Sequence, residues 1–301
     1  MAGYDRFLKE YIQFIRLEKG LSDQSVVSYR HDIRRYLKFI FDDTGLPDLG
    51  GVTVQHIENY LAELSSMELS HATMARNVSS IKGFHNFAHL EGWTPANPAE
   101  LIEAPKLPRK LPDVLTIEEV NKILEVPDTS TYKGLRESAI LETLYACGLR
   151  VSELTGLTLN DLHIEIGFLN VTGKGSKERL VPMGSVATAR IQEYLEIARP
   201  FFLKEKEKAK NAVFLNAYGG PLSRMSVWQI VKDTANLAGI NRKVHPHIFR
   251  HSFATHLIEG GAGLREVQEM LGHVSILTTE IYTHIDRNLM EDVHRSFHPR
   301  A

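Results

Sequence analysis

The spacing of hydrophobic residues along the first 92 positions predicts a bundle of four amphipathic helices. In the first helix, Phe7, Tyr11 and Phe14 recur at intervals of three or four residues and so share one helical face. Three further stripes follow, each after a residue suited to capping a helix: Val26 to Ile40 after Ser22, Ile57 to Leu64 after Thr53, and Met74 to Phe84 after Ser70. Helices of this length with short connections pack together as a small bundle.

Prolines cluster directly after this helical region. Five of the twelve prolines lie between positions 95 and 112. Because proline lacks an amide donor and disfavours helix in the residue before it, residues 93–112 are predicted to form an extended linker. The chain then divides into a helical domain at 1–92, this linker, and a second domain at 113–301.

The second domain has mainly helical patterns and one small β-hairpin. Thr116 and Glu119 match a capping box, and a long helix predicted over 131–146 ends at Gly148. Residues 162–171 alternate as a strand, Gly173 to Ser176 is typical of a turn, and 178–182 is predicted to return as a second strand. Further helices are predicted over 185–208, 224–238, 248–259, 264–271, 275–284 and 286–295. The fold class is therefore mainly α, with a small antiparallel sheet.

Composition excludes several classes of protein. With 301 residues, of which 43% are hydrophobic, the chain is expected to form two folded domains. Its single cysteine excludes a disulfide framework and suits a reducing cytoplasm. No apolar run approaches the roughly 20 residues of a membrane span, and the first residues lack the apolar stretch of a signal peptide. We therefore expect a cytoplasmic protein without membrane insertion.

Two familiar kinds of site fit the sequence poorly. Lys174 lies in a glycine-rich turn, but it is followed by Gly175, and the spacing from Gly167 to Gly173 does not match a P-loop. Histidines are concentrated in the last sixty residues, which hold eight of the fourteen, and this leaves a metal hydrolase as an alternative. That alternative is weak, because the H-E-x-x-H spacing is absent and Arg250 would place a permanent cation beside the metal.

Basic side chains and one hydroxyl instead suggest a cage for a phosphate. His247 and Arg250 lie at the start of a predicted helix, where free amides and the helix dipole already favour an anion. The candidate set is Arg150, Lys174, His247, Arg250, His273 and Tyr282. Such a set suits phosphoryl transfer in which fixed cations stabilise the transition state, without metal or other cofactor.

Around these residues the sequence is similar to the tyrosine recombinases of the phage integrase family, specifically the bacterial Xer type. The matching strings are GLRVSEL at 148–154, GKGSKERLVPM at 173–183, HPHIFRHSFATHLIEGGA at 245–262 and LGHVSILTTEIYTHID at 271–286. Phe249 and Glu280 depart from the usual family residues, and both flank candidate catalytic positions rather than occupy them. The resemblance covers nearly the whole chain. It implies an N-terminal core-binding, SAM-like helical domain that contacts DNA and a catalytic domain of the tyrosine recombinase fold.

The resemblance also implies a role for each candidate. Tyr282 is the nucleophile that forms a 3′-phosphotyrosyl bond, while Arg150 and Arg250 hold the non-bridging oxygens. His247 and His273 bond to the same phosphate, and His247 is also a candidate to take the tyrosine proton. Lys174 is the candidate general acid, and Glu153 is expected to orient the basic groups.

Assembly and biological role are implied by the family as well. Two linked domains would close around double-stranded DNA, and four protomers would join two dif-like sites, as a heterotetramer with a paralogous Xer recombinase or as a homotetramer. The implied task is the resolution of chromosome dimers with the septal DNA translocase FtsK. An apolar segment beyond Tyr282 is expected to dock as an exchange helix in a neighbouring protomer, or else to pack on its own domain: Leu289, Met290, Val293 and Phe297. The alternatives are a type IB topoisomerase-like enzyme, an integrase of a mobile element and a non-catalytic DNA-binding protein.

The net charge of −2 seems at first to oppose DNA binding, since such proteins are expected to carry a basic field. The charges are uneven, however. Residues 28–40, 69–90 and 224–250 together hold eleven basic side chains against two acidic ones. Because counterion release depends on the groups that touch phosphate, we expect a basic inner face. The candidate DNA contacts are Arg30, Arg34, Arg76, Lys82, Arg224, Arg242 and Lys243.

Overall fold

A computed structural model describes residues 4–19, 21–67, 69–103, 113–173, 178–209, 211–272 and 284–301. The chain separates into two compact units, Met1–Lys110 and Leu111–Ala301. Both units are mainly helical, and the second also contains a small antiparallel sheet. The predicted fold class is therefore confirmed. In the described residues, no helix combines the length and the apolar character that a membrane span needs.

Four helices build the first unit, as the hydrophobic stripes predict. They are α1 Asp5–Leu17, α2 Asp23–Lys38, α3 Val54–Ser66 and α4 His71–Leu90. The predicted caps at Ser22 and Ser70 form, because each hydroxyl oxygen accepts a hydrogen bond from the amide three residues later, at 3.3 and 3.2 Å. A π-helical turn, Phe39–Asp43, extends α2, and a short 3-10 turn lies at Leu49–Gly51.

Aromatic side chains fill the core of this unit. Tyr11 meets Phe84 edge-on at 5.4 Å between ring centroids, and Tyr36 meets Tyr60 at 5.2 Å. The Tyr36 hydroxyl also lies 2.6 Å from Nε2 of His85, so this buried polar pair joins α2 to α4. Edge-to-face rings of this kind stabilise a core beyond the apolar area that they bury.

The first part of the predicted linker belongs to the first unit rather than extending away from it. Ala99 and Ile102 are buried in its core, and the Trp93 ring packs 4.9 Å from that of Phe7. Lys82 donates to two backbone carbonyls of this segment. The prolines predict an extended chain, although the apolar residues between them pack on the first unit. The extended linker expected from residue 93 therefore does not begin there. Residues 104–112 lie outside the described part of the chain.

Ten helices and three strands form the described second unit. The helices are α5 Ile117–Leu124, α6 Tyr132–Ala146, α7 Val151–Gly156, α8 Gly184–Glu193, α9 Arg199–Phe202, α10 Lys206–Ala209, α11 Arg224–Leu237, α12 Pro246–Gly260, α13 Leu264–Leu271 and α14 His284–Phe297. The capping box of Thr116 and Glu119 forms at the start of α5. The single helix predicted over 185–208 is divided into α8, a π-helical turn at Tyr194–Ala198, α9 and α10. The helix predicted over 275–284 falls almost entirely outside the described residues.

The sheet has three antiparallel strands in the order β1-β2-β3. They are β1 Leu162–His163, β2 Phe168–Thr172 and β3 Glu178–Pro182, with Asn170 paired to Leu180. One continuous strand over 162–171 is therefore wrong. The chain makes a 3-10 turn at Ile164–Ile166 and reverses at Gly167, whose φ of 67° lies in the left-handed region.

Helix α6 is the centre of the second unit, since twelve of its fifteen residues are buried. It therefore gives a firm base to the loop that follows Ala146. Helix α14 packs on its own unit, where Met290 and Val293 join a small hydrophobic cluster with Phe253 of α12. This is the second of the two arrangements expected from the sequence, in which the segment packs on its own domain. Its physical reason is that α12 and α13 already offer an apolar surface to α14.

Candidate active site

The loop between α6 and α7 places Arg150. Gly148 has a φ of 55°, and a Cβ atom there would lie 2.5 Å from the Phe253 ring. A side chain would clash at this position, so glycine allows the chain to reverse tightly under α12. Arg150 then becomes the residue immediately before α7. This turn brings its guanidinium to the same region as α12 and β3.

Glu153 lies at the centre of a cluster of three arginines. Its carboxylate accepts hydrogen bonds from Nη1 and the backbone amide of Arg150, both at 2.8 Å. Arg179 of β3 donates to both carboxylate oxygens at 3.0 Å, and Nη1 of Arg250 lies 3.6 Å from Oε2. The Arg150 side chain is 37% exposed, whereas those of Arg179 and Arg250 are 5% and 8% exposed. Of these three arginines, Arg150 is the one most accessible to a ligand.

Arg250 holds the surrounding backbone together from α12. Its Nη1 donates to the Gly148 carbonyl at 2.7 Å, and its Nη2 donates to the Leu271 carbonyl. One side chain therefore links the Arg150 loop to the end of α13. Because a planar guanidinium donates in fixed directions, these bonds fix the orientation of the group.

The electrostatics of the cluster favour an anion. Burial alone raises the pKa of Glu153, but the hydrogen bonds and charge of Arg179, and then those of Arg150, hold it below its ordinary value. Burial and the charge of Arg150 lower the pKa of Arg250 to about 10, which still leaves it protonated at neutral pH. Three cations and one carboxylate therefore carry a net charge that suits a phosphodiester and its more negative transition state.

His247 lies on the first turn of α12 and is exposed. Partial burial lowers its pKa, and the charges of His245, His251, Arg250 and Arg150 lower it further. A neutral imidazole at pH 7 can accept a proton, so His247 has the protonation state that a general base needs.

The described structure thus brings together Arg150, Glu153 and Arg250, with His247 beside them. Lys174, His273 and Tyr282 lie outside the described residues. The described chain neighbours of two of them lie beside the cluster: β2 and β3 flank the segment with Lys174, and Gly272 precedes His273. An ideal Cβ at Gly272 would lie 3.1 Å from the Arg179 side chain.

Sequence reasoning missed Arg179. It lies in the string GKGSKERLVPM, whose residues 178–182 predict a returning strand and no further role for this arginine. Its position in the sequence could have indicated a role at the site, because residues 178–182 directly follow the turn that carries Lys174. A charged residue at a core-facing position of a strand calls for a buried partner.

The candidate DNA contacts fall into two groups. Arg76 pairs with buried Asp32, Lys82 binds backbone carbonyls, and Arg242 bonds to Glu119 and to the Val114 carbonyl. The others are exposed: Arg30, Arg34, Arg224 and Lys243. Arg30 and Arg34 line a groove between α1 and α2 together with Lys9 and Arg16, and Asp5 lies there too. In the described ranges, no three His, Cys, Asp or Glu side chains are grouped as metal ligands.

Two family profiles match the sequence. Residues 113–288 match the phage integrase family, and residues 8–92 match the N-terminal SAM-like domain of phage integrases. Tyrosine recombinase XerD of Chlorobaculum tepidum is 47% identical over 98% of this chain and 96% of its own. Tyrosine recombinase XerD of Halalkalibacterium halodurans is 42% identical over the full length of both chains. Both relatives carry the name XerD, which agrees with the resemblance of the two ends of this sequence to XerD more than to XerC.

Solved structures share the fold. XerH site-specific recombinase bound to a palindromic difH substrate, in a post-cleavage complex, has a TM-score of 0.70 at 22% identity and covers 95% of this chain and 93% of its own. The Tn1549 transposon integrase in complex with circular intermediate DNA has a TM-score of 0.71 at 19% identity, covering 94% and 98%. At these identities the likeness concerns the fold alone.

Proposed function

Because this chain belongs to the phage integrase family and is a site-specific DNA recombinase of the tyrosine type, we propose that it cuts and rejoins DNA through a bond to Tyr282. The phenolic oxygen of Tyr282 attacks the scissile phosphate and forms a 3′-phosphotyrosyl bond, while the 5′ oxygen leaves. His247 takes the phenolic proton, and Lys174 protonates the leaving oxygen. The 5′ hydroxyl of a second strand then reverses the same steps, and the covalent bond retains the energy needed for rejoining.

The cluster around Glu153 is the observation that carries this proposal. A free tyrosine has a pKa of about 10, so its attack requires positive charge near the developing phenolate and the pentavalent phosphate. Arg150 and Arg250 supply that charge. Glu153 holds Arg150 by hydrogen bonds and lies 3.6 Å from Arg250. His273 completes the set as a further donor to the phosphate, as the resemblance implies.

The proposed biological task is the resolution of chromosome dimers at a dif-like site. Curated relatives of 41–47% identity carry the name XerD, which supports a role in this branch. The proposed partners are double-stranded DNA, a paralogous Xer recombinase or further copies of this chain in a tetramer, and the translocase FtsK. The buried single thiol of Cys147 suits action in a reducing cytoplasm.

The proposed nucleophile is tested with a nicked duplex that traps the covalent adduct. Tyr282→Phe is expected to bind the duplex as tightly as the unaltered protein and to form no adduct on a denaturing gel, since the attacking oxygen is gone. Tyr218→Phe is the matched control, because Tyr218 is 77% exposed in the same unit, and it should keep full activity. Adduct in Tyr282→Phe would contradict the proposal.

The reaction class is tested with two labelled duplexes that carry the same dif-like site. Exchanged strands support recombination, whereas relaxation of supercoils without exchange would indicate a topoisomerase. Scrambled sites and candidate mobile-element ends serve as controls for target choice. Adduct formation should persist in EDTA, because the fixed cations supply the charge, and its full loss would favour the metal hydrolase.

A further inference from the structure

Arg179 contacts two elements of the site although it is nearly inaccessible to DNA. We propose that Arg179 is a positioning residue of the recombinase, which holds Glu153 and the end of α13 in the geometry needed for cleavage. This inference rests on the function proposed above, and it assigns a task to a residue with only 5% of its side chain exposed.

The side-chain bonds of Arg179 reach from β3 to two other parts of the site. Nη1 and Nη2 each donate to a different oxygen of Glu153 at 3.0 Å, while Nε donates to the Met270 carbonyl at 2.8 Å. Glu153 in turn holds Arg150. Arg179 lies on β3, which directly follows the segment with Lys174, and Met270 lies three residues before His273. One guanidinium therefore connects the chain segments that carry Arg150, Lys174 and His273.

The chemistry of these contacts requires arginine. Burying a cation is costly unless it is paired with an opposite charge and hydrogen-bonded. Here one planar group bonds to both oxygens of a carboxylate and to a carbonyl. Lysine at this position would keep the charge but lose the two-pronged geometry. Gly272 provides the room, since an added Cβ there would approach Cδ and Nη1 of Arg179 to 3.1 Å.

Arg179 also sets the charge state of the cluster. Burial favours the neutral form of Glu153, and Arg179 is the largest influence that opposes it, followed by Arg150. Among the described residues, the charged groups facing this carboxylate are Arg150, Arg179 and Arg250. Without Arg179, the pKa of Glu153 rises. As pH falls, the carboxylate that orients Arg150 is then protonated at a higher pH than in the unaltered protein.

The experiment compares cleavage with binding in the full-length protein. Arg179→Met is expected to form adduct about 100-fold more slowly with saturating enzyme, the loss typical of a displacement near 1 Å. Its Kd for the nicked duplex should change less than about threefold, since a buried arginine releases no counterions. The acidic limb of the rate profile should move to higher pH. The rate of adduct formation by Arg179→Lys should lie between that of the unaltered protein and that of Arg179→Met.

Arg199→Met is the matched control. Arg199 is another buried arginine of the second unit, and it bonds to the Ala212 and Val213 carbonyls. Both variants lose a buried cation, so rates are compared per folded molecule, with the folded fraction taken from thermal unfolding. In a Glu153→Gln background, Arg179→Met should cost much less than 100-fold, because most of its effect passes through Glu153.

Three outcomes would overturn the inference: an Arg179→Met rate equal to that of Arg199→Met, a full rate in Arg179→Lys, or a fall in binding that matches the fall in cleavage. Arg179→Lys keeps the test decisive if the methionine variant does not fold. The unaltered protein and Tyr282→Phe separate the two proposals. If neither of these proteins forms adduct, the proposed function fails. If the unaltered protein forms adduct normally and the substitutions of Arg179 change nothing, only the inference about Arg179 is contradicted.

Discussion

Asp32 has a carboxylate that is 2% exposed inside the first unit, and Arg76 is its charged partner. Two hydrogen bonds of 2.9 Å join them, and the Ser80 hydroxyl donates a third at 3.1 Å. Removing one partner of such a pair leaves an uncompensated buried charge. Arg76 was a candidate DNA contact from sequence, but these bonds assign its guanidinium a structural task.

We expect Arg76→Met to destabilise the first unit by about 2 kcal/mol, because Asp32 keeps only its neutral partner. The measurement is urea unfolding in a Trp228→Phe background, where Trp93 reports on the first unit. Arg30→Met is the control, since Arg30 is exposed on α2 and its loss should change stability by less than about 0.5 kcal/mol. Unchanged stability together with a large loss of DNA affinity would instead support a direct contact.

His85 makes the first unit sensitive to acid. Burial lowers its pKa from 6.5 to about 4, and its ring bonds to the Tyr36 hydroxyl. The unfolded chain therefore binds a proton below pH 6.5 that the folded unit refuses, so the free energy of unfolding decreases as pH falls towards 4. The loss should reach at most about 3 kcal/mol.

This acid sensitivity is measured by urea unfolding at several pH values with Trp93 as the probe. His85→Gln should flatten the dependence between pH 6.5 and 4, because glutamine does not titrate. His71→Gln, at an exposed position of α4, should leave it unchanged. An equally steep dependence in His85→Gln would refute the role of this histidine.

At the scale of elements, α14 is held by buried polar groups as well as by apolar packing. His294 donates from Nε2 to the Ala146 carbonyl at 2.9 Å, directly at the end of α6. His298 stacks on the His294 ring at 4.5 Å, and Arg300 pairs with the buried carboxylate of Glu142. The helix beyond Tyr282 is thereby connected to the helix that leads into Arg150.

This docking should weaken in acid. Burial lowers the pKa of His294, and burial with the charges of His294 and His256 lowers that of His298. Protonation thus favours the undocked helix, so docking is complete above pH about 6.5 and decreases as pH falls. We expect hydrogen-exchange protection factors of α14, corrected for intrinsic exchange, to decrease over that range while those of α5 hold. A constant ratio between the two helices would contradict this expectation.

Helices and strands with a regular hydrophobic period could be predicted from the sequence. Elements interrupted by a turn or by prolines could not. The stripes around Ile33 and Ile57 fix helices because burial of one face repeats every three or four residues. Gly167 breaks an alternation that otherwise fits one strand, and Ala99 packs in a segment whose prolines favour extension. At the site, motif strings identified Arg150 and Arg250, whereas the role of Arg179 depends on contacts distant in sequence.

At the scale of the whole molecule, the near-neutral charge makes DNA affinity depend on a few exposed cations. Each phosphate contact contributes about 0.9 to the slope of log K against log salt. We expect Arg224→Ala and Lys243→Ala each to reduce that slope by about this amount, as both side chains are exposed. Arg242→Ala is the comparison, because the Arg242 guanidinium is already bonded to Glu119. The slope of log K against log salt should therefore stay unchanged in this variant. Equal effects of all three variants would contradict this division.

The thiol of Cys147 is fully buried at the end of α6, and burial raises its pKa far above the usual range. A protonated, inaccessible thiol reacts poorly with maleimides and other alkylating reagents. The native sequence is therefore already a background for single-site dye attachment. A cysteine introduced at exposed Leu289 or Leu17 would carry a fluorophore on the second or first unit. Energy transfer between two such dyes could then follow both units as the protein engages DNA, with no native residue removed beforehand.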